Sequence, residues 1–396
     1  MPSGSAPPAP APSLRPIVAL TAASFCVGAC LRITDPLLPR IAQEFAASMG
    51  AASIVVTAFS IAYGLCQIVY GPIGDRFGKY RLITLAMTVS AVTIAAAAWA
   101  QSLGALAALR LLAGATTAAV VPILLAYVGD VVAYDRRQAV LARVLTGNLL
   151  GIVFGQSIAG ILIEYVSWRT VFLALGGAYL VVAILLWIEL RSPRVVLTRN
   201  DAPLHAGHLA RRYWALLGER GPRAILLMIF FEGFLFFGAF PYTGTYLRHD
   251  FNLDYATIGV MLGGFGVGGM GYSLFAGWFV PTFGERGLLR LGGGLLAGGF
   301  AGLAATTAWW MAIPLVVILG LGLFMVHNTL QTNATQMAPD ARGLAVSAFA
   351  FCLFTGQAAG VAVMGIGIDR VGHEAVFAAT GLAMLAFTWL FAARRG

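Results

Sequence analysis

The chain repeats itself at a spacing of 205 residues, and the repeated text is apolar. The segment from Gly160 to Phe172 reappears from Gly365 to Phe377 with six of thirteen positions identical, and Glu164 is answered by Asp369. The same offset pairs Gly155 with Gly360, Asp135 with Asp340 and Arg137 with Arg342. At an offset of 206, Gly71, Phe77 and Gly78 meet Gly277, Phe283 and Gly284. A chain doubled in this way is expected to build two similar halves around one cavity, with a substrate site at their pseudo-symmetric interface.

Hydrophobic residues make up 59% of the chain and charged residues 10%, against about 25% charged in a soluble domain. Apolar runs of roughly 20 residues, enough to cross a bilayer, recur along almost the whole length. Lipid satisfies no backbone group, so such runs must be helices; a barrel would alternate instead. The 48 glycines suit close helix–helix approach in lipid. Cys26, Cys30, Cys66 and Cys352 all lie in apolar runs, in no metal-ligand or disulfide pattern, and read as packing residues.

Hydropathy predicts an all-α membrane protein of twelve transmembrane helices in two pseudo-symmetric six-helix bundles. The first bundle takes residues 15–190 and the second 224–393. Residues 1–14, rich in Pro, Ala and Ser, read as a flexible tail without the basic start of a signal peptide. Residues 191–223 read as a polar, basic linker containing His205 and His208.

With an even helix count, nineteen of the 25 Lys and Arg fall on the side of the termini and four on the opposite side, leaving Arg32 and Arg110 inside helices. Positive loops stay in the cytoplasm, so both termini and the linker are expected there, in the cell (inner) membrane. The net charge of +9 is then topological and calls for no nucleic acid.

The second connection reads Gly71-Pro-Ile-Gly-Asp75-Arg76-Phe-Gly78-Lys79-Tyr-Arg81. Gly71 and Gly78 let backbones approach and turn. Asp75 can accept at a helix N-terminus or pair with an Arg. This loop resembles the G-x-x-x-D-R-x-G-R/K-R/K signature of the major facilitator superfamily, with its end displaced by one residue at Tyr80 and Arg81. The resemblance implies a conformational latch at Gly71, Asp75, Arg76 and Gly78; the second copy, from Gly277 to Arg286, has lost the acid–base pair. Arg110-Leu-Leu-Ala-Gly114 is similar to an element of proton-coupled members. Gly147, Gly151, Gly155 and Gly160 are spaced like the glycine-rich element of the drug and metabolite antiporter branch, but Gln156 stands where that element expects Pro. Leu31 to Pro39 and Ile41 to Phe45 look like the end of helix one in exporters of this superfamily.

Charges inside spanning helices cost about 2.5–3.5 kcal/mol each on insertion scales, so each needs a reason. Arg32 and Asp35 in helix one and Arg110 in helix four fall at similar depth, given the rise of 1.5 Å per residue. In the resembling family both helices line the cavity. A carboxylate beside Arg can hold or release a proton as water access changes. The plainer alternatives are a self-neutralising i, i+3 pair for Arg32 and Asp35, and a snorkelling Arg110.

Glu232 in helix seven, the repeat partner of helix one, stands among Phe231, Phe234, Phe236, Phe237, Phe240, Tyr242 and Tyr246. It reads as a proton or cation site or as a buried neutral acid, and the aromatic stripe as packing or lipid contact. His327, Gln331 and Thr335 form a polar stripe on helix ten, a cavity-lining helix in the resembling family.

No phosphate loop, catalytic triad or metal spacing is legible, so neither an enzyme nor a cofactor is expected. The expected function is secondary active transport by rocker-switch alternating access, with proton-coupled efflux of a small organic molecule. The expected partners are that substrate, protons and the lipid bilayer, and a monomer suffices. The alternatives are uptake or facilitated passage of a sugar- or amino-acid-type metabolite, and a membrane sensor or scaffold that moves nothing.

Overall fold

The computed structural model describes residues 14–193, 195, 206–338 and 342–394, and all its regular structure is helical. The expected tail up to Ser13, together with His205 and Asp340, lies outside the described residues. In chain order the helices are α1 (Leu14–Arg32), α2 (Thr34–Glu44), α3 (Met49–Ala52), α4 (Ile54–Phe77) and α5 (Lys79–Ala96), then α6 (Leu103–Thr117), α7 (Val120–Val131), α8 (Tyr134–Tyr165) and α9 (Trp168–Leu190). The second half of the chain continues with α10 (Ala206–Gly218), α11 (Arg220–Glu232), α12 (Thr243–Phe251), α13 (Tyr255–Ala304), α14 (Ala312–Gln336) and α15 (Arg342–Arg394).

Among the described residues, ten helical stretches are long and apolar enough to cross a membrane, and the protein is an all-α, multi-pass membrane protein. Two of the stretches are far longer than one crossing needs. Each of these is broken by one glycine with positive φ, Gly284 (φ 59°) in α13 and Gly372 (φ 84°) in α15. That backbone region is one that side chains with a Cβ rarely enter. Predicted helix one is split by a turn at Ile33 into α1 and α2. Predicted helix seven passes from α11 into a π-turn at Gly233–Phe237 before α12. The polar stretch 191–223 contains a helix of its own, α10.

We call the end of the molecule carrying Gly78 and Gly284 the basic end, and the one carrying Ser48, Asp254 and Gly372 the far end. Three of the helices starting at the far end are capped by side chains. Ser48 accepts from the Ala51 N–H at 3.2 Å, Ser102 from Ala105 at 3.1 Å, and Asp254 from Thr257 at 2.7 Å. Each cap satisfies one of the donors that a helix N-terminus leaves open.

The buried apolar residues fall into two large clusters. One is drawn from residues 17–195 with Tyr255, and the other from residues 225–392 with Leu38, Ala42, Ala52 and Val56. Within the first half, the glycines of α8 let it lie against α1. A Cβ on Gly151 would collide with the Phe25 carbonyl, and one on Gly155 would come within 2.6 Å of the Ala29 Cα. Between the halves, α8 packs on α13 and α4 on α15. On the α8–α13 seam the backbones approach closely at two glycines, where a Cβ on Gly160 would stand 2.5 Å from the Gly259 Cα.

The far end is closed by hydrogen bonds across the halves. Asp369 Oδ2 accepts from Ser48 Oγ at 2.6 Å and from the Gly50 N–H at 3.0 Å. Glu164 Oε2 accepts from the Tyr255 N–H at 2.9 Å. Deeper in, Gln357 Nε2 donates to Ser60 Oγ at 2.9 Å. Towards the basic end a cleft of about 670 Å³ opens between α1 and α8, lined by Thr21, Phe25, Arg143 and Gly147 among others.

Candidate functional site: two buried carboxylates

Asp35 is the second residue of α2, directly after the turn that separates it from α1. Its side chain is 1% exposed. The backbone at Ile33 keeps helical dihedrals (φ −58°, ψ −30°), so Arg32 and Asp35 meet as an i, i+3 pair, with Arg32 Nη1 3.6 Å from Asp35 Oδ2. The same oxygen accepts a hydrogen bond from Gln156 Nε2 on α8 at 3.0 Å. Asp35 Oδ1 has no hydrogen-bond partner. The Arg32 guanidinium lies 4.4 Å from the centre of the Phe237 ring, which belongs to the second half of the chain. A desolvated cation over a ring face gains up to about 2 kcal/mol.

Arg110 on α6 is buried but does not bind Asp35. Its guanidinium reaches Cys30, donating to the carbonyl at 3.5 Å and to Sγ at 3.7 Å. It stacks 4.2 Å from the centre of Phe59 and 5.6 Å from that of Phe172. The first half therefore holds two buried guanidinium groups near one carboxylate, and only Arg32 is paired with it directly. Arg110 does not snorkel: it is 2% exposed.

In the second half, Glu232 ends α11, immediately before the π-turn. Such turns widen a helix locally and recur at functional sites. The widened backbone is accommodated by Gly233, where a Cβ would collide with the Leu353 carbonyl. Glu232 is 1% exposed, and its Oε1 lies 3.0 Å from His327 Nδ1 on α14. Glu232 Oε2 has no partner. The Phe349 ring meets the imidazole edge-on at 5.3 Å. Glu232 and His327, read separately in the sequence, thus form one buried acid–imidazole pair.

Gln331, one turn beyond His327, is exposed and is not drawn into this pair. The aromatic stripe of predicted helix seven is largely packing. Phe236 stacks on Phe240 at 5.3 Å and Phe265 at 5.7 Å, and Tyr242 donates to the Val361 carbonyl at 2.6 Å. Phe237 is the exception, since it carries the Arg32 cation.

Of the latch residues, Gly71 and Asp75 lie in the last turns of α4, and the Asp75 side chain is outside what is described. Arg76 is exposed, with its guanidinium 5.9 Å from the Phe77 ring centre. Gly78 makes the turn at φ 92°. Its neighbour Lys79 bonds Asp130 at the end of α7 at 2.6 Å, which ties the loop to the next helix pair.

Gln156 and Phe237 are the site residues that sequence reasoning did not assign. Gln156 did announce itself as the polar residue standing where Pro was expected, but its partner lies 121 positions away.

The pattern shared by the Major Facilitator Superfamily matches residues 20–361. The chain belongs to that superfamily. Among curated relatives, the "Uncharacterized MFS-type transporter YceJ" of Bacillus subtilis is 25% identical over 373 residues, 92% of this chain and 91% of the relative. YybF of the same organism, also named an MFS-type transporter, is 27% identical over 221 residues, 56% of this chain; the match spans about half of YybF, 53%. Among solved structures, the nucleoside transporter NupG superposes with a TM-score of 0.77 at 12% identity, covering 96% of this chain and 99% of that one. That likeness speaks for the fold alone. This member of the superfamily is a secondary active transporter of small molecules and not an enzyme.

Proposed function

We propose that the transporter exports small organic molecules in exchange for protons, by rocker-switch alternating access. The observation that carries this reading is the pair of buried carboxylates, one in each half. Asp35 and Glu232 each keep one oxygen without a partner; Asp35 sits beside the Arg32–Phe237 contact between the halves, and Glu232 is paired with His327 inside the second half. Intramembrane acids of this kind are costly and serve proton relays or substrate sites. Asp35, Arg32 and Arg110 on one side, and Glu232 and His327 with Gln331 on the other, are assigned to coupling and substrate binding.

In this reading α13 and α15 each cross the membrane twice, turning at Gly284 and Gly372. That gives twelve spans in two six-helix bundles, 15–190 and 224–393, joined by the 191–223 segment. The basic end faces the cytoplasm of the cell (inner) membrane because it carries most of the Lys and Arg. A far end closed by hydrogen bonds across the halves fits a cavity open inward. Asp75, Arg76 and the Gly71 and Gly78 turns act as the latch that changes partners on closure, and one chain suffices for the cycle.

The glycine-rich contact of α8 on α1 supports the export branch. Gln156 in place of the expected Pro favours a second reading, uptake or gradient-independent passage of a metabolite. Thermal-shift screening of compound classes at two pH values selects a probe, and flux of that compound into proteoliposomes with and without a pH gradient separates the readings. Export in exchange for protons predicts gradient-driven flux with countermoving protons, lost in Asp35→Asn and Glu232→Gln. Equal flux without a gradient, or coupling retained in both variants, would contradict the proposal.

A further inference from the structure

The far end holds a group of side chains for which the transport reading has no use. His249 and Asp250 sit in the last turn of α12, and His373 follows the Gly372 break in α15. One nitrogen from each ring and a carboxylate oxygen all lie within 4.8 Å of one another. His249 Nδ1 is 3.1 Å from Asp250 Oδ1, and His373 Nδ1 is 3.8 Å from Asp250 Oδ2. The residues come from two stretches of chain more than 120 positions apart, so no metal spacing shows in the sequence.

The hydrogen bonds around His373 decide what its ring presents. Thr245 Oγ1 donates its only proton to the Tyr242 carbonyl at 2.7 Å. It also lies 3.0 Å from His373 Nε2, and so must accept there. Nε2 therefore carries a hydrogen, and in the neutral imidazole Nδ1 carries a lone pair. That lone pair faces a carboxylate oxygen. Two acceptors face each other across a gap that only a cation satisfies.

The neighbouring Arg248 is engaged elsewhere. Arg248 donates to the Leu253 carbonyl at 2.7 Å and lies over the Tyr255 ring at 4.8 Å. The C-terminus of α12 adds its partial negative charge to the site. A donor set of two imidazoles and one carboxylate, with one His held by a hydroxyl behind it, suits zinc-type ions. His249 is 78% exposed, so the group can be reached from solvent.

We propose that His249, Asp250 and His373 bind one divalent transition-metal ion of the zinc class, tying the end of α12 to the Gly372 turn. Asp369, which closes the far end through Ser48 and Gly50, lies in the same turn region. A bound ion would anchor the piece of chain that makes that contact.

The test uses the full chain, purified in detergent without a histidine tag, with Co²⁺ as the spectroscopic probe and Zn²⁺ as competitor. One Co²⁺ should bind per chain with the strong visible bands of a four- or five-coordinate site, and Zn²⁺ should displace it. His249→Ala, His373→Ala and the shape-conserving Asp250→Asn should each weaken binding by at least about tenfold, while thermal unfolding without metal shows that each variant is folded. His205→Ala with His208→Ala should change nothing. Absence of saturable binding, a spectrum of hydrated Co²⁺, or loss of binding in the His205/His208 variant alone would overturn the proposal. The first of these outcomes would assign the gap between His373 and Asp250 to a proton.

Discussion

Asp35 and Glu232 are equally buried acids on repeat-related segments, though not at repeat-related positions, and they are neutralised by different chemistry. Asp35 faces Arg32, a cation that keeps its proton under all conditions a protein meets. Glu232 faces His327, whose imidazole, unlike a guanidinium, can be neutral or charged. In the first half the counter-charge is fixed, and any proton exchange must take place on Asp35 itself. In the second half one proton can sit on either partner. Glu⁻–HisH⁺ and GluH–His have the same net charge, so the pair can move a proton internally without changing its total charge. Arg110 sharpens the contrast, because it adds a second buried cation to the first half and, among the described residues, has no counterpart beside Glu232.

The largest expected effect follows from the fixed charge. Asp35→Ala strands Arg32 in the protein interior and should destabilise the fold by about 3–5 kcal/mol, read by thermal or denaturant unfolding in detergent. Joint replacement, Arg32→Met with Asp35→Leu, should recover most of that loss while leaving transport dead. Gln156→Leu removes a hydrogen bond to a charged group and should cost about 1.5–3 kcal/mol, with coupled flux impaired. Glu232→Ala should cost less than Asp35→Ala, about 1–3 kcal/mol, because His327 can shed its proton. Equal losses for Glu232→Ala and Asp35→Ala would erase the distinction between the two halves.

The smallest effect lies outside the membrane, at Glu44. Burial pulls its carboxyl up, but hydrogen bonds from Arg169 and Trp168 outweigh this and hold it below the ordinary carboxylate value. A depressed acid lends stability that is present above its unfolded pKa and is lost as pH falls through the folded one. The pair is partly exposed, so Glu44→Gln should cost no more than about 1 kcal/mol. The deficit should vanish in acid. A deficit that grew as pH fell would reverse the sign of this account.

How much of this was legible in the sequence follows from which contacts are local. Helices in lipid are forced by hydropathy, and the 205-residue repeat makes the doubling visible before any contact is known. Arg32 and Asp35 are three positions apart, so their meeting was readable. Glu232 and His327 were each flagged as costly polar groups, yet nothing in a helical pattern joins residues 95 positions apart. Gln156 was visible only as a departure from an expected Pro, and its meaning depends on the α8–α1 contact that places it at Asp35. Arg110 was expected near Asp35 on its depth and on the cavity-lining place of both helices in the resembling family. Depth says nothing of which way a side chain turns, and it turns to Cys30 and Phe59. The turn at Ile33 and the helix inside the 191–223 segment were missed because neither carries a Gly or Pro signal that outweighs its surroundings.

The central claim is that each half buries one carboxylate that takes up and releases a proton. Infrared difference spectroscopy of the purified transporter across a pH titration tests it without a substrate. The account predicts two pH-dependent carbonyl bands from protonated carboxyl groups in a water-poor setting, one missing in Asp35→Asn and the other in Glu232→Gln. Identical difference spectra in the wild type and both variants would contradict it.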